Sequence, residues 1–129
     1  VGTVKVGSTS DHISAFWDVL PTMAELTGQP CPPQSTGISM LPTLVGNAGD
    51  QKKHEYLYWE HPQAVKRDQA IRVGPWKGVV RGWKKGSIGA FELYNLDDDL
   101  SEQHDVSSQH PDMVKKMQHM MSEAHHDVQ

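Results

Sequence analysis

The feature that most limits what this chain can fold into is a series of four strand-like runs between His54 and Leu96, joined by short connections. Parallel neighbours need crossovers of roughly a dozen residues or more, so these joins predict an antiparallel meander. His54-Glu-Tyr-Leu-Tyr-Trp-Glu-His61 is the first run, with three aromatics suited to a pleated surface, and Pro62 closes it. Gln69 to Val73 is the second, Gly74-Pro75 the turn after it, and Trp76 to Trp83 the third. A hairpin-type loop over Lys84 to Gly89 leads to the fourth, Ala90 to Leu96. Alternation there puts Phe91, Leu93 and Asn95 on one face and Glu92, Tyr94 and Leu96 on the other.

Helical periodicity flanks this region. Ile13, Phe16, Trp17, Leu20, Met23, Ala24 and Thr27 recur at three- and four-residue spacing. They predict a helix ending at Thr27, with Ser14 able to cap its start and Gly28 its stop. Pro21 would break a helix interior, so the helix is either kinked there or starts late. Before it, Val4 and Val6 suit a loop or one short edge strand. After it comes a Pro-rich loop, Gln29 to Gly37, and a short helical turn over Ser39–Val45. Past the sheet, the acidic loop Asp97–Gln109 leads to Pro111, a good first helical residue. Met113, Val114, Met117, Met121 and Ala124 then form one apolar stripe that reads as core packing. The predicted class is α+β: a four-stranded antiparallel sheet with a C-terminal helix packed on it, preceded by an N-terminal helix and a Pro-rich loop. Residues 1–53 form the leading arm and 54–129 the small sheet domain.

Composition excludes several functions. The 129 residues carry 12 Lys+Arg against 16 Asp+Glu, a net charge of −4, which argues against a nucleic-acid binder. The single cysteine, Cys31, excludes an internal disulfide framework and a four-thiolate zinc site. No apolar run approaches the ~18 residues needed to cross a membrane. The chain opens without an initiator Met and reads as a piece of a longer protein.

Most candidate motifs fail on geometry. His54-Glu55 begins like H-E-x-x-H, but position 58 is Tyr and the segment reads as a strand. Asp97, Asp99 and Ser101 match the first spacings of a calcium loop, but Glu102 stands where that loop needs Gly. His119, His125 and His126 suit a solvent-facing helix end better than a metal. Two features remain. One is Glu60-His61 at the end of an aromatic strand, its side chains pointing to opposite faces. The other is the pair of cations Arg72 and Lys77 around the Gly74-Pro75 turn.

Taken in order, the phrases of the chain resemble the C-terminal part of the type I sulfatases, the arylsulfatase family related to alkaline phosphatase. The phrases are Asp18-Val-Leu-Pro-Thr22, Glu25-Leu-Thr-Gly28, Gly37-Ile-Ser-Met-Leu-Pro42, Trp59-Glu-His61, Ala70-Ile-Arg72 and Gly74-Pro-Trp-Lys77. Glu92-Leu-Tyr-Asn-Leu96, Glu102-Gln-His-Asp-Val106 and His110-Pro111 complete the series. In that family a formylglycine made from the Cys of C-x-P-S-R works beside a calcium ion, both in a larger N-terminal domain. Cys31-Pro-Pro33 is followed by Gln34 and Ser35, which breaks that signature. The resemblance therefore implies no catalytic residue, metal ligand or cofactor in this chain, with calcium and formylglycine in the absent N-terminal domain. It implies a non-catalytic fragment of a sulfuric ester hydrolase that flanks the cleft of a periplasmic or secreted enzyme. Its partners would be that catalytic domain and a sulfated carbohydrate, with His61, Glu60, Arg72 and Lys77 as substrate-binding candidates. Two other readings stay open: a carbohydrate-binding module with Tyr56, Tyr58, Trp59 and Trp83 as its platform, and a pure protein-interaction domain. The resemblance also implies that the first helix, with Phe16, Trp17, Leu20 and Met23, packs on the absent large domain and leaves an orphan apolar face here. The isolated chain would cover that face by self-association, with a homodimer favoured, by domain exchange or by collapsing it onto residues 38–45, unless the helix already packs on the small sheet.

Overall fold

The computed structural model describes residues 3–62, 67–83 and 89–125, divided into two compact units, Val1–Glu55 and Tyr56–Gln129. In the second unit, β1 (Leu57–Pro62), β2 (Arg67–Val73), β3 (Trp76–Trp83) and β4 (Phe91–Asn95) pair in chain order, every pair antiparallel. Gly74 opens the two-residue β2–β3 turn at φ +55°, a left-handed conformation that glycine adopts without steric cost. The Lys84–Gly89 loop lies outside the described residues, Gly89 excepted.

Register decides which side chains meet. Tyr58 pairs with Ile71, Ile71 with Gly78 and Gly78 with Leu93, so these four share one face. Helix α3 (Pro111–Ala124) packs on that face. Ile71, Leu93 and Met117 are fully buried there, beside Val80, Met120 and Met121. Met120 extends the expected stripe, and Met113 and Val114 pack at its edge. Gly78 leaves room for the Phe91 ring, which a Cβ at that position would meet at 2.3 Å. Of the two strand aromatics, Tyr58 packs on this core, while Trp59 faces the other side and is 38% exposed.

In the first unit, a 3-10 turn over Phe16–Asp18 leads into α1 (Val19–Thr27). Pro21 lies in the first turn of α1, where its missing N–H has no intrahelical partner to lose. The helix is thus the late-starting one. Its start is held by Asp18 rather than Ser14: Asp18 Oδ2 accepts the Ala15 N–H at 2.8 Å. Gly28, at φ +66°, ends α1, and the Gln29 N–H closes back on the Ala24 carbonyl at 2.9 Å. Val4 and Val6 lie exposed in a turn segment and form no strand. Helix α2 (Leu41–Leu44) occupies the expected helical turn.

The segment before α2 is pinned to α1 by polar groups. The Ile38 N–H donates to Asp18 Oδ1 at 2.8 Å and the Met40 N–H to Thr22 Oγ1 at 2.9 Å. Only glycine fits at position 37, where a Cβ would lie 2.3 Å from the Trp17 carbonyl oxygen. His54 Nε2 also reaches Asp18 Oδ1, at 2.8 Å. This anchor explains why β1 begins at Leu57 and not at His54. Segment 38–40 covers the Asp18–Thr22 side of α1, while Phe16 is 89% exposed and Leu20 and Met23 are half-exposed. Trp17, expected on the orphan face, is half-buried instead.

Candidate functional site

The site expected at the end of β1 is divided by the strand pleat. Glu60 pairs with Gln69 on the α3 side of the sheet. Its Oε2 accepts the Tyr58 hydroxyl at 2.7 Å and lies 2.7 Å from His125 Nδ1, and Gln69 Nε2 donates to the Tyr58 hydroxyl oxygen at 2.8 Å. Burial pushes the Glu60 carboxyl up, but its bonds to Tyr58, His125 and Gln69 outweigh that and hold it below the usual range. Glu60 thereby ties the end of α3 to β1.

His61, Arg72 and Lys77 stand on the opposite face. Arg72 Nε donates to the Gly74 carbonyl at 3.1 Å, folding the guanidinium onto its own turn. Lys77 Nζ donates to Glu102 Oε1 at 2.5 Å. Glu102 is the one described non-glycine residue with positive φ, +54°, a conformation uncommon for L side chains. Register places three more polar side chains on this face. Asp68 lies opposite His61, and its Oδ1 accepts the Gly82 N–H at 2.7 Å. Arg81 Nε donates to Glu92 Oε2 at 3.2 Å, which raises the guanidinium pKa further, and Glu92 also accepts the Tyr94 hydroxyl.

Between Trp59 and Val79 on this face, β2 contributes only the methyl of Ala70, because Trp59 pairs with Ala70 and Ala70 with Val79. The result is an open groove of about 380 Å³ with His61, Asp68 and Arg81 toward one end and Lys77 and Glu102 also lining it. The structure thus gathers His61 and Lys77 in one groove, leaves Arg72 on the same face outside its lining, and turns the Glu60 carboxylate to the α3 side. Asp68, Arg81 and Glu102 were missed by sequence reasoning. Asp68 falls one residue before the predicted start of β2, and alternation on β3 would have placed Arg81 with Lys77. The aromatic platform does not assemble on one face, since Tyr58 packs against the core and Trp59 lies opposite. The Trp83 side chain is outside the described residues.

The remaining candidates are occupied locally. Asp99 Oδ2 accepts the N–H groups of Gln103 and His104, each at 2.8 Å, which lowers its pKa and closes a turn. His119 Nε2 sits 3.6 Å from Glu123 one helical turn on, and His126 lies outside the described residues. Cys31 is a free, half-buried thiol. Among the described residues, no group of three or more His, Cys, Asp and Glu side chains converges to hold a metal. No helix among the described residues is long and apolar enough to cross a membrane.

Known proteins align with between 59% and 95% of the chain. A family model described as "N-sulphoglucosamine sulphohydrolase, C-terminal" matches residues 1–127. An N-acetylglucosamine-6-O-sulfatase of Bacteroides thetaiotaomicron is 29% identical over 124 residues, covering 92% of this chain and 22% of the relative. Human arylsulfatase A is 31% identical over 77 residues, covering 59% of this chain and 15% of the relative. The crystal structure of Ps i-CgsB superposes with a TM-score of 0.77 at 26% identity, covering 95% of this chain and 26% of that one. A 2-O GAG sulfatase shares the fold with a TM-score of 0.66 at 23% identity, covering 83% and 23%. The chain therefore spans about a quarter or less of the length of the proteins it matches.

Proposed function

The chain belongs to the N-sulphoglucosamine sulphohydrolase C-terminal family, and from that premise we propose that it is the non-catalytic C-terminal part of a sulfatase that helps shape substrate binding beside the active-site cleft. The observation that carries this reading is the match over residues 1–127 in a chain that covers only about a quarter of its relatives. The rest of such an enzyme supplies the catalytic domain, with calcium and formylglycine. The exposed apolar face of α1 suits a surface that docks on that domain.

Within this reading the groove face of the sheet meets a sulfated carbohydrate. His61 is its leading contact, because Lys77 is already neutralised by Glu102 and Arg72 is folded onto Gly74. A protonated imidazole donates charge-assisted hydrogen bonds of the kind sulfate oxygens accept. The test has two parts. The purified chain is assayed on an aryl sulfate with calcium, and no turnover above a no-protein blank is expected. Next, the full reading frame is recovered, and an upstream C-x-P-S-R or S-x-P-S-R signature is expected. Turnover by the isolated chain that survives repurification, or a frame without that signature, would sink the proposal. In the full enzyme, His61→Ala should raise KM more than it lowers kcat.

A further inference from the structure

We propose that Glu102 is a specificity-determining residue of the groove: it masks the Lys77 ammonium, so that His61 is left as the anion contact and a free sulfate ion binds poorly. The inference deepens the proposed function and rests on it for the anionic ligand. Glu102 is a positioning residue in this role, acting on Lys77 and touching no substrate.

Glu102 is the one described non-glycine residue at positive φ, +54°, where a Cβ crowds its own backbone. Strain of this kind persists only where the surroundings impose it, and it collects at functional positions. Here the Glu102 N–H donates to the Asp99 carbonyl at 3.2 Å, and Asp99 Oδ2 accepts the N–H groups of Gln103 and His104 at 2.8 Å each. Asp99 thus fixes the turn on both sides of the strained residue. From that turn Glu102 Oε1 reaches a side chain 25 residues away, accepting from Lys77 Nζ at 2.5 Å. Both side chains are 27% exposed, and ion pairs at such positions add little to stability. Fold stability therefore does not account for a strained turn built around this contact.

Charge on the groove points the same way. Lys77, Glu102, His61, Asp68 and Arg81 all line it. Arg81 Nε is bonded to Glu92 as Lys77 is to Glu102. Each permanent cation of the lining thus already holds a carboxylate. An unmasked ammonium attracts substrate, product and free sulfate alike, because a point charge carries no directional information. Binding that does not distinguish the transition state lowers KM without raising kcat. A carboxylate locked onto Lys77 cancels this indiscriminate attraction at short range. What remains is the His61 imidazole, a directed donor at the end of β1.

The experiment is a two-dimensional ¹H–¹⁵N NMR titration of this 129-residue chain with sodium sulfate, at constant ionic strength. Glu102→Gln should bind sulfate at least about fivefold more tightly than the unaltered chain, with shifts centred on the Lys77 amide. The gain should shrink as ionic strength is raised with NaCl from about 0.1 to about 0.5 M. Glu102→Gly should show the same gain. Glycine takes φ +54° without steric cost, so this variant covers the case in which Glu102→Gln fails to fold. Adding Lys77→Met to either variant should abolish the gain. In the full enzyme, Glu102→Gln should lower KM for an aryl sulfate and the inhibition constant of free sulfate together, with kcat not raised. Loss of a merely structural contact would not tighten both. Sulfate affinity unchanged in both Glu102 variants overturns the proposal, as does a gain that survives the loss of Lys77. Failure of the sulfatase reading shows separately, in the aryl sulfate assay on the unaltered chain and in the upstream signature.

Discussion

In residues 56–129, Ile71, Leu93 and Met117 are fully buried, and around them gathers a continuous apolar cluster. In residues 1–55, among the described residues, the most deeply buried side chains are Asp18 and Thr22, and the large apolar residues Phe16, Leu20, Met23 and Leu26 face outward. The sheet unit is held by removing apolar surface from water, worth roughly 25 cal/mol per Å². The leading unit is held by a few directed hydrogen bonds, chiefly to the Asp18 carboxylate, the Thr22 hydroxyl and the Gln51 carboxamide. Apolar burial is spread over many contacts and tolerates small shifts. A polar anchor depends on single groups, and removing one leaves donors unpaired. The large apolar side chains of the leading unit thus face outward, where those of the sheet unit face in.

The sharpest way to break this contrast is to attack each anchor in turn. Met117→Ala in the sheet unit should cost about 2–5 kcal/mol, because Met117 is fully buried and its removal leaves a cavity. Thermal or denaturant unfolding measures it, and a loss under roughly half a kcal/mol would place Met117 outside the core.

Asp18→Ala should come next, at about 2–3 kcal/mol, because it strands the Ala15 and Ile38 N–H groups and the His54 ring. The loss should be local, read as faster hydrogen exchange at Ile38 with the Leu93 amide unaffected. Equal loss at both sites would mean that the leading unit is not separately held. The same anchor sets a pH dependence. Burial pushes the Asp18 carboxyl up, but the Ala15 and Ile38 amides and His54 outweigh it and leave it below its ordinary value. A group lowered on folding contributes stability that is fully present above its unfolded pKa and lost as pH falls through the lowered folded value. Ile38 protection should therefore fall in acid, and Asp18→Asn should flatten that fall.

Self-association tests the outward face. We propose that the isolated chain forms a concentration-dependent dimer through the exposed face of α1, read by light scattering at two concentrations. Phe16→Glu should shift it toward monomer, since Phe16 is 89% exposed. A monomer at every concentration would refute the dimer. The smallest effect is expected at the Lys77–Glu102 pair, whose side chains are each 27% exposed. Lys77→Ala should cost no more than about 1 kcal/mol in unfolding experiments, as for partly exposed ion pairs.

Local pattern by itself determined much of the molecule. Alternation assigned the two faces of β4, short joins made the meander antiparallel, and Pro111 marked the start of α3. The ordered phrases from Asp18 to Pro111 pointed to the sulfatase family. Periodicity is a short-range signal, so it reaches the neighbours a residue has along its own element. Only the tertiary structure decided which distant groups meet. Asp18 and His54 are 36 residues apart and Glu60 and His125 are 65 apart, and no local pattern joins them. Asp68 and Arg81 enter one groove only once the β1–β2–β3 register is known, because a shift of one residue would send each side chain to the other face. The late start of α1 was likewise settled by Asp18, whose carboxylate secures the Ala15 and Ile38 amides and so leaves Pro21 in the one turn where a helix tolerates it.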